Sequence, residues 1–291
     1  MSGIQTNRTN ITLPGSVASK IIQKTQEQSA IMKLATEIDL PGNGITFPVI
    51  TSDPEAQWVD ETDSKPVSNP GLGTKNMKGY TLAVIVPFSN QFKRDYGALF
   101  NALVNRLPLA LAKKFDETVF GKHDAPGELF DTFKNATAQS LALDVYGGLV
   151  AADTNVALNG GAVNGYAITP QMRSILLSAL DKNDRPLFVN SVADGAIPMI
   201  LGQPTYISRA AFVDGSPKTI GVAGDWTKAM YGVVEGVDIQ ISSEATLDLG
   251  NGTTINLFQR NMFAVRAEIE VGFVAQTEMF NKLTATDVPS I

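Results

Sequence analysis

Between Phe263 and Phe273 the chain alternates strictly. Phe263, Val265, Ala267, Ile269, Val271 and Phe273 are interleaved with Ala264, Arg266, Glu268 and Glu270. Side chains of a strand point to opposite faces with a period of two, so this run predicts one long, half-buried strand. Its apolar row suits a core, and its charged row needs water, a helix edge or another subunit. The run exceeds the usual five or six residues of a strand, which points to an elongated sheet and a scaffold rather than a catalytic pocket.

A second period governs the middle of the chain. Phe92, Tyr96, Leu99, Leu103, Leu107, Leu111, Phe115 and Val119 recur every three or four residues, with Ser89 as a candidate N-cap and Gly121 as a stop. That is the stripe of an amphipathic helix. Pro108 falls inside it, and an interior proline costs about 3 kcal/mol and kinks a helix. The prediction is a long helix bent near Arg106–Leu107, or two abutting helices. Strands are predicted at Ile45–Ile50 and Tyr80–Val86, both β-branched and aromatic-rich. Further on come a helix over about Gln139–Ala152, a strand at Tyr166–Ile168, and a helix begun by Thr169-Pro170 and running to Leu180. Short strands follow around Pro198–Ile200, Thr205–Ile207, Thr219–Val222, Tyr231–Val234 and Val237–Ile241, with a turn at Leu249-Gly250-Asn251-Gly252.

Two segments do not fit a core. Residues 1–15 are polar and rich in Asn and Thr, and Ser16 opens a short helix to about Gln28 with little apolar surface; this reads as an arm that docks elsewhere. Thr51 to Gly79 is polar, with Pro54, Pro66, Pro70, Gly71 and Gly73. About thirty structureless residues are unusual in a compact domain. A projecting, self-paired hairpin lying on a neighbour resolves the difficulty, and Trp58 within it wants a partner surface.

Composition narrows the function. The 291 residues carry a net charge of −6 with 44% hydrophobic residues, an ordinary globular balance with room for one or two domains. Gripping phosphates needs surplus Lys and Arg, which is absent, so tight nucleic-acid binding is disfavoured while an acidic container wall stays open. With no cysteine, disulfides, thiolate catalysis and Cys-based metal sites are excluded. The start Met1-Ser2-Gly3-Ile4-Gln5-Thr6 lacks a signal-peptide pattern, and no apolar run is long enough for a membrane helix. The expectation is a soluble product made in a cytoplasm, and the Asn-x-Thr triplets at Asn7, Asn10, Asn135 and Asn251 then carry no sugar.

Candidate chemistry is thin. His123 beside Asp124 has the makings of a base and its orienter, but sits in a turn where a solvated role is expected. Asp60, Glu61 and Asp63 have the oxygens for a hard cation but no Gly-centred calcium loop, so a charge cluster or inter-subunit contact is the plainer reading. No phosphate-binding loop, dinucleotide fingerprint or nucleophile elbow is present, and no cofactor is implied.

Several local patterns carry a resemblance. Trp58-Val59-Asp60-Glu61 followed by Lys65-Pro66, Val86-Pro87-Phe88-Ser89 into Phe92-Lys93-Arg94-Asp95, Leu201-Gly202-Gln203-Pro204, Gly224-Asp225-Trp226, and Asn261-Met262 through Arg266-Ala267-Glu268 to Gly272-Phe273 occur in this order. Together, from about Ser16 to Leu283, they resemble the major capsid proteins of tailed phages with the HK97-like fold. The resemblance implies an α+β chain: an N-terminal arm (1–33), a peripheral domain (34–44 and 80–137) with a spine helix near 90–120, and an E-loop hairpin (45–79). It also implies an α/β axial domain (138–230), return strands (231–285) and a tail (286–291). It implies hexamers and pentamers closing into an icosahedral shell around double-stranded DNA, with a portal and separate scaffolding or decoration proteins as partners, assembled in the bacterial host cytoplasm. If Met1 is the true start, scaffolding would come from a separate protein or be dispensable.

Some relatives join an E-loop lysine to a peripheral asparagine with help from a glutamate. Asn261 and Glu268 match those positions, whereas Lys75 is displaced by about one residue and Lys78 by more, so a shell without crosslinks is expected. The expected assembly contacts are Trp58, Asp60, Glu61, Lys65, Lys75, Asn261, Arg266, Glu268 and Glu270. Two alternatives remain at this level: an encapsulin-type compartment on the same fold holding enzyme cargo, and a soluble α/β enzyme using Asp60, Glu61 and Asp63.

Overall fold

The computed structural model describes residues 29–52, 54–61, 64–89, 96–181, 183, 185–188, 199–250 and 253–286. The arm helix expected before Gln28, the cation candidate Asp63 and the residues expected to open the spine helix lie outside them. In chain order the elements are α1 (Ala30–Leu34), β1 (Thr36–Asp39), β2 (Ile45–Ser52), β3 (Gly71–Met77), β4 (Tyr80–Ser89) and α2 (Tyr96–Val119). Next come β5 (Thr137–Ser140), α3 (Val145–Leu158), β6 (Gly165–Ile168), α4 (Pro170–Ser178), β7 (Met199–Ile200), β8 (Gln203–Ile207) and β9 (Lys218–Gly224). The chain closes with β10 (Ala229–Ser242), β11 (Thr246–Asp248), β12 (Thr254–Asn256), β13 (Met262–Ala275) and β14 (Phe280–Ala285).

Capping follows the side chains available. Ser29 Oγ accepts from Met32 N, Asp144 Oδ1 from Gly147 N and Thr169 Oγ1 from Met172 N, opening α1, α3 and α4. Pro170 stands where α4 begins and its missing N–H costs nothing. The helical stripe forms one element, α2, that runs unbroken through Pro108 rather than splitting in two.

Two sheets organise the molecule. A four-stranded sheet has the order β1-β10-β13-β4, and a six-stranded sheet the order β5-β14-β9-β6-β8-β7. Leu107 and Leu111 of α2 pack on Phe263, Val265, Ala267 and Ile269 of β13, which gives the alternating strand its core. On one face of the six-stranded sheet, α3 and α4 bury Leu149, Val156, Met172 and Leu176 against Tyr166, Ile220 and Leu283. Phe115, Phe133, Trp226, Phe273 and Phe280 form an aromatic hub between the two sheets.

The alternation of β13 holds only part way. Arg266, Glu268 and Glu270 are partly exposed, but from Val271 to Ala275 both faces are buried. Val274 there packs with Leu40 and Met77, where the chain leaves the hairpin. Gly272 makes this close approach possible. A β-carbon at that position would lie 2.7 Å from Lys78 O and 2.9 Å from Met77 Cγ, and the first contact is backbone and cannot rotate away. Gly272→Ala is therefore expected to destabilise the chain by about 1–3 kcal/mol, read as a lower urea midpoint.

Two expectations change. Gln139 lies in a strand, not a helix: β5 pairs in parallel with β14, and α3 starts only after the Asp144 cap. The two strands expected at Tyr231–Val234 and Val237–Ile241 are one, β10, whose register against β13 shifts between Val233 and Glu235 and again before Asp238. Glu235-Gly236 reads as a break because bulges interrupt the alternation without ending the strand.

Candidate assembly surface

A hairpin arm is present, but it is built from the strand predicted at Ile45–Ile50 together with Gly71–Met77, and the described residues between Ser52 and Gly71 form no strand. β2 and β3 pair antiparallel from Ile45↔Met77 to Ser52↔Gly71. At the last pair of the strands Ser52 Oγ accepts from Gly71 N at 2.7 Å, and beyond them Ser68 Oγ accepts from Glu55 N at 2.8 Å, so the loop is pinned across itself. Its apolar side chains are uncovered by their own chain: Ile50, Trp58, Val67 and Leu72 are all exposed. Asp60, Glu61 and Lys65 are exposed with Trp58 on the same loop.

The root of the arm is fastened. Lys75 Nζ donates to Ala275 O and pairs with Asp131 at 2.7 Å, while Asp131 Oδ2 accepts from Ala275 N at 2.8 Å. Lys75 thus works within its own subunit, holding the hairpin to the end of β13. Asp131 went unnoticed in the sequence because nothing local to it signals a partner at position 75.

On the outer face of the four-stranded sheet, Arg266 reaches Gln240 Oε1 at 3.0 Å and pairs with Glu268 at 2.9 Å. Asn261 opens the strand in the left-handed region, at φ +58°, on an exposed turn. Seven residues separate it from Glu268, about 23 Å along an extended strand. Asn261, Glu268 and Lys75 of one chain are therefore not brought together.

The remaining candidates resolve otherwise. Among the described residues no group of three acids and histidines could hold a metal ion. His123 Nε2 faces Glu117 at 3.3 Å, while Asp124 pairs with Lys134 at 2.6 Å, so the two neighbours are not a base and its orienter. The hydrogen bond and charge of Lys134 hold the Asp124 carboxyl below its usual range. Burial works to raise Glu117, but Lys122, His123 and Lys113 outweigh it and hold it low.

The largest surprise is Asp116, buried on α2. Its carboxylate accepts from Ser29 Oγ and, at 2.9 Å, from Ala30 N, tying the start of α1 to the helix. Burial pushes it up to about 7 against those hydrogen bonds. Beside it runs a groove of about 940 Å³ between α2 and Ile207–Asp214. Its lining balances Lys113, Lys122 and Arg209 against Asp116, Glu117 and Asp214, with no surplus to recruit an anion.

A family model described as the phage capsid family matches residues 9–284. The "Probable major capsid protein gp17" of Mycobacterium phage D29 is 26% identical over 273 residues, covering 88% of this chain and 84% of that protein. The major capsid protein of Staphylococcus phage 80alpha is 25% identical over 292 residues, covering 95% and 86%. Among solved structures, a chain of Mycobacterium phage Cain superposes with a TM-score of 0.74 at 21% identity, covering 90% of this chain and 92% of its own. A chain of Microbacterium phage Oxtober96 gives 0.72 at 22% identity, covering 98% and 95%.

Proposed function

This chain belongs to the phage capsid family, a major capsid protein of HK97-like α+β fold that builds the virion shell and catalyses nothing, and we propose that it does so through hexamers and pentamers closing into an icosahedron. The observation that carries this reading is the hairpin arm, a self-paired strand pair whose apolar side chains, Trp58 foremost, find no cover in their own subunit. Extended arms enlarge contact area without enlarging the core, which suits a thin closed wall.

In this reading Trp58, Asp60, Glu61 and Lys65 lie on a neighbouring copy, and Arg266, Glu268 and Glu270 receive such a contact. The interior holds double-stranded DNA without gripping it, consistent with the net charge of −6. A portal completes the shell, scaffolding or decoration proteins are separate partners, and assembly takes place in the bacterial cytoplasm. The wall is closed without covalent crosslinks, consistent with Lys75 being held within its own chain.

Tryptophan fluorescence tests the reading directly. Trp226 is 2% exposed and Trp58 fully exposed, and they are the two tryptophans of the chain. On assembly the emission should shift to the blue, and Trp58→Phe should abolish that shift. Trp58→Ser should reduce assembled particles at least tenfold with thermal unfolding of the free chain unchanged. Particles forming normally in Trp58→Ser would refute the arm's role. Glu268→Ala should likewise weaken assembly more than folding, and an equal loss of both would count against the outer sheet face as a contact.

A further inference from the structure

Asn-Gly pairs stand at Asn43, Asn159, Asn164 and Asn251, the last outside the described residues. Such a pair has a covalent weakness of its own. The backbone nitrogen after the asparagine attacks the side-chain carbonyl carbon, and glycine puts no β-carbon in its way. A C–N bond forms, and the side-chain nitrogen leaves as ammonia with the proton of the attacking N–H. The succinimide so made adds one water at either of its carbonyls. One opening leaves aspartate. The other leaves isoaspartate, in which the main chain runs through the side chain and is one carbon longer. The fold decides which pair reacts, because the carbonyl carbon must swing onto the nitrogen.

Two of the three described pairs are held. Asn164 Nδ2 donates to Asp225 Oδ1 at 3.0 Å and its Oδ1 accepts from Trp226 N at 2.8 Å, while Gly165 is buried in β6 against Gly224. Asn159, at the end of α3, donates from Nδ2 to Asn155 O at 3.1 Å and to Glu278 O at 3.0 Å. Asn43 differs. It is exposed in the turn between β1 and β2, and no described residue bonds its amide. Gly42 before it presents no side chain, and even a β-carbon there would meet nothing nearer than Val234 at 3.7 Å. One bond opposes the attack, from Gly44 N to Pro41 O at 2.8 Å. A lone turn bond at the surface opens readily, whereas Asn159 and Asn164 must each release two side-chain bonds as well.

The product matters because of where the turn sits. Leu40 before it is buried with Met77 and Val274, and Ile45↔Met77 is the first rung of the hairpin. Gly44, at φ +84°, lies so close to that rung that a β-carbon on it would come 2.7 Å from Met77 O. An extra main-chain atom between residues 43 and 44 has no slack to enter. It drives Gly44 onto Met77 or pulls the rung apart.

We propose that Asn43 is a site of spontaneous modification, its amide displaced by Gly44 N, and that the isoaspartate formed loosens the root of the hairpin arm. The modification rests on the turn alone; its effect on assembly rests on the shell reading.

The test incubates the full, unassembled chain in warm neutral buffer made with heavy-oxygen water. Digestion and mass spectrometry, with electron-transfer fragmentation to tell isoaspartate from aspartate, then follow each pair. Asn43 should take up the label about tenfold faster than Asn159 or Asn164, with isoaspartate the larger product. Equal or slower uptake at Asn43 overturns the site. In the aged chain the Ile45 and Met77 amides should exchange hydrogen faster, and the assembled fraction seen by sedimentation should fall severalfold. Unchanged exchange overturns the loosening. N43Q would have to close a larger ring, so after the same incubation it should remain unmodified there and assemble like fresh wild type. N43D carries the new charge on an unaltered backbone and should also assemble like fresh wild type. A loss in fresh N43D equal to that of the aged chain overturns the backbone argument in favour of charge. Fresh wild type that forms no shells under any salt condition takes down the shell reading, while label uptake and hydrogen exchange still decide the modification and the loosening.

Discussion

Phe133→Ala should cost about 3–5 kcal/mol of folding stability, the largest loss expected from any single truncation in this chain. Phe133 is fully buried, and its ring lies 4.5 Å from Phe280, 5.7 Å from Trp226, 5.7 Å from Phe273 and 6.3 Å from Phe120, centroid to centroid. Those four rings come from four places: β14 of the six-stranded sheet, the turn after β9, β13 of the four-stranded sheet, and the residue after α2. Removing the ring opens a cavity that none of these elements can close without dragging the others. Both sheets should therefore weaken together. Urea unfolding followed by far-ultraviolet circular dichroism and by Trp226 emission should show one shifted transition with both probes. A midpoint within error of wild type, or a shift seen by one probe alone, would argue that the hub does not join the sheets.

The second large effect is a pH dependence centred on Asp116. Its usual value is 3.8, and burial raises it to about 7 in the folded chain. A carboxyl whose pKa is raised by folding binds a proton in the native state that the unfolded chain has already released. Its contribution is complete below the unfolded value and is lost as pH rises through the folded one. Between about pH 4 and pH 7 stability should therefore fall, by up to about 4 kcal/mol at about 1.4 kcal/mol per unit. Glu117 has the opposite sign: its pKa is held below 4.5, so its contribution is present above that value and lost as pH falls. Glu117's gain is complete by pH 4.5 while Asp116's loss begins from about pH 4, so the two together place the optimum at or below about pH 4.5, well on the acid side of neutrality. Urea midpoints at half-unit steps should trace that curve, and Asp116→Asn should flatten its upper limb while leaving the acid limb in place. A wild-type midpoint constant from pH 5 to 7.5 would remove the argument.

What could be read from the residues alone was whatever is local in sequence. The strand from Phe263 to Phe273 and the stripe ending in Phe115 and Val119 are visible because a period repeats within a dozen positions. Thr169-Pro170 announces a helix for the same reason. β5 was invisible because its partner β14 lies more than a hundred residues away, and four residues of Thr-Ala-Gln-Ser look no more like a strand than like the approach to a helix. Nothing in its neighbourhood along the chain marks Asp116. Its burial is made by Ser29 and Ala30, some 86 residues earlier. The assembly surface divides in the same way. Trp58 stood out because an aromatic ring in a polar, proline-bearing stretch is out of place, and Lys75 was noticed too. That Lys75 is spoken for by Asp131 and Ala275 required the fold. Leu201 was legible as part of a motif, but its positive φ of +49° is a property of the backbone that composition does not carry.

The pairing of β13 has a mechanical consequence. Its hydrogen bonds to β4 run from Met262 to Val271 and those to β10 from Ala264 to Ala275, all roughly perpendicular to the strand. A pull along the strand loads every one of these bonds at once, so they must fail together. A pull across it opens the ladder one rung at a time. The subunit is therefore stiff along one axis and compliant along another. The hairpin arm is clamped to the Ala275 end of that stiff axis, and the exposed turn at Asn261 lies at the other, about 46 Å away along fourteen extended residues. Tension entering through the arm would emerge at that turn with little stretch in between.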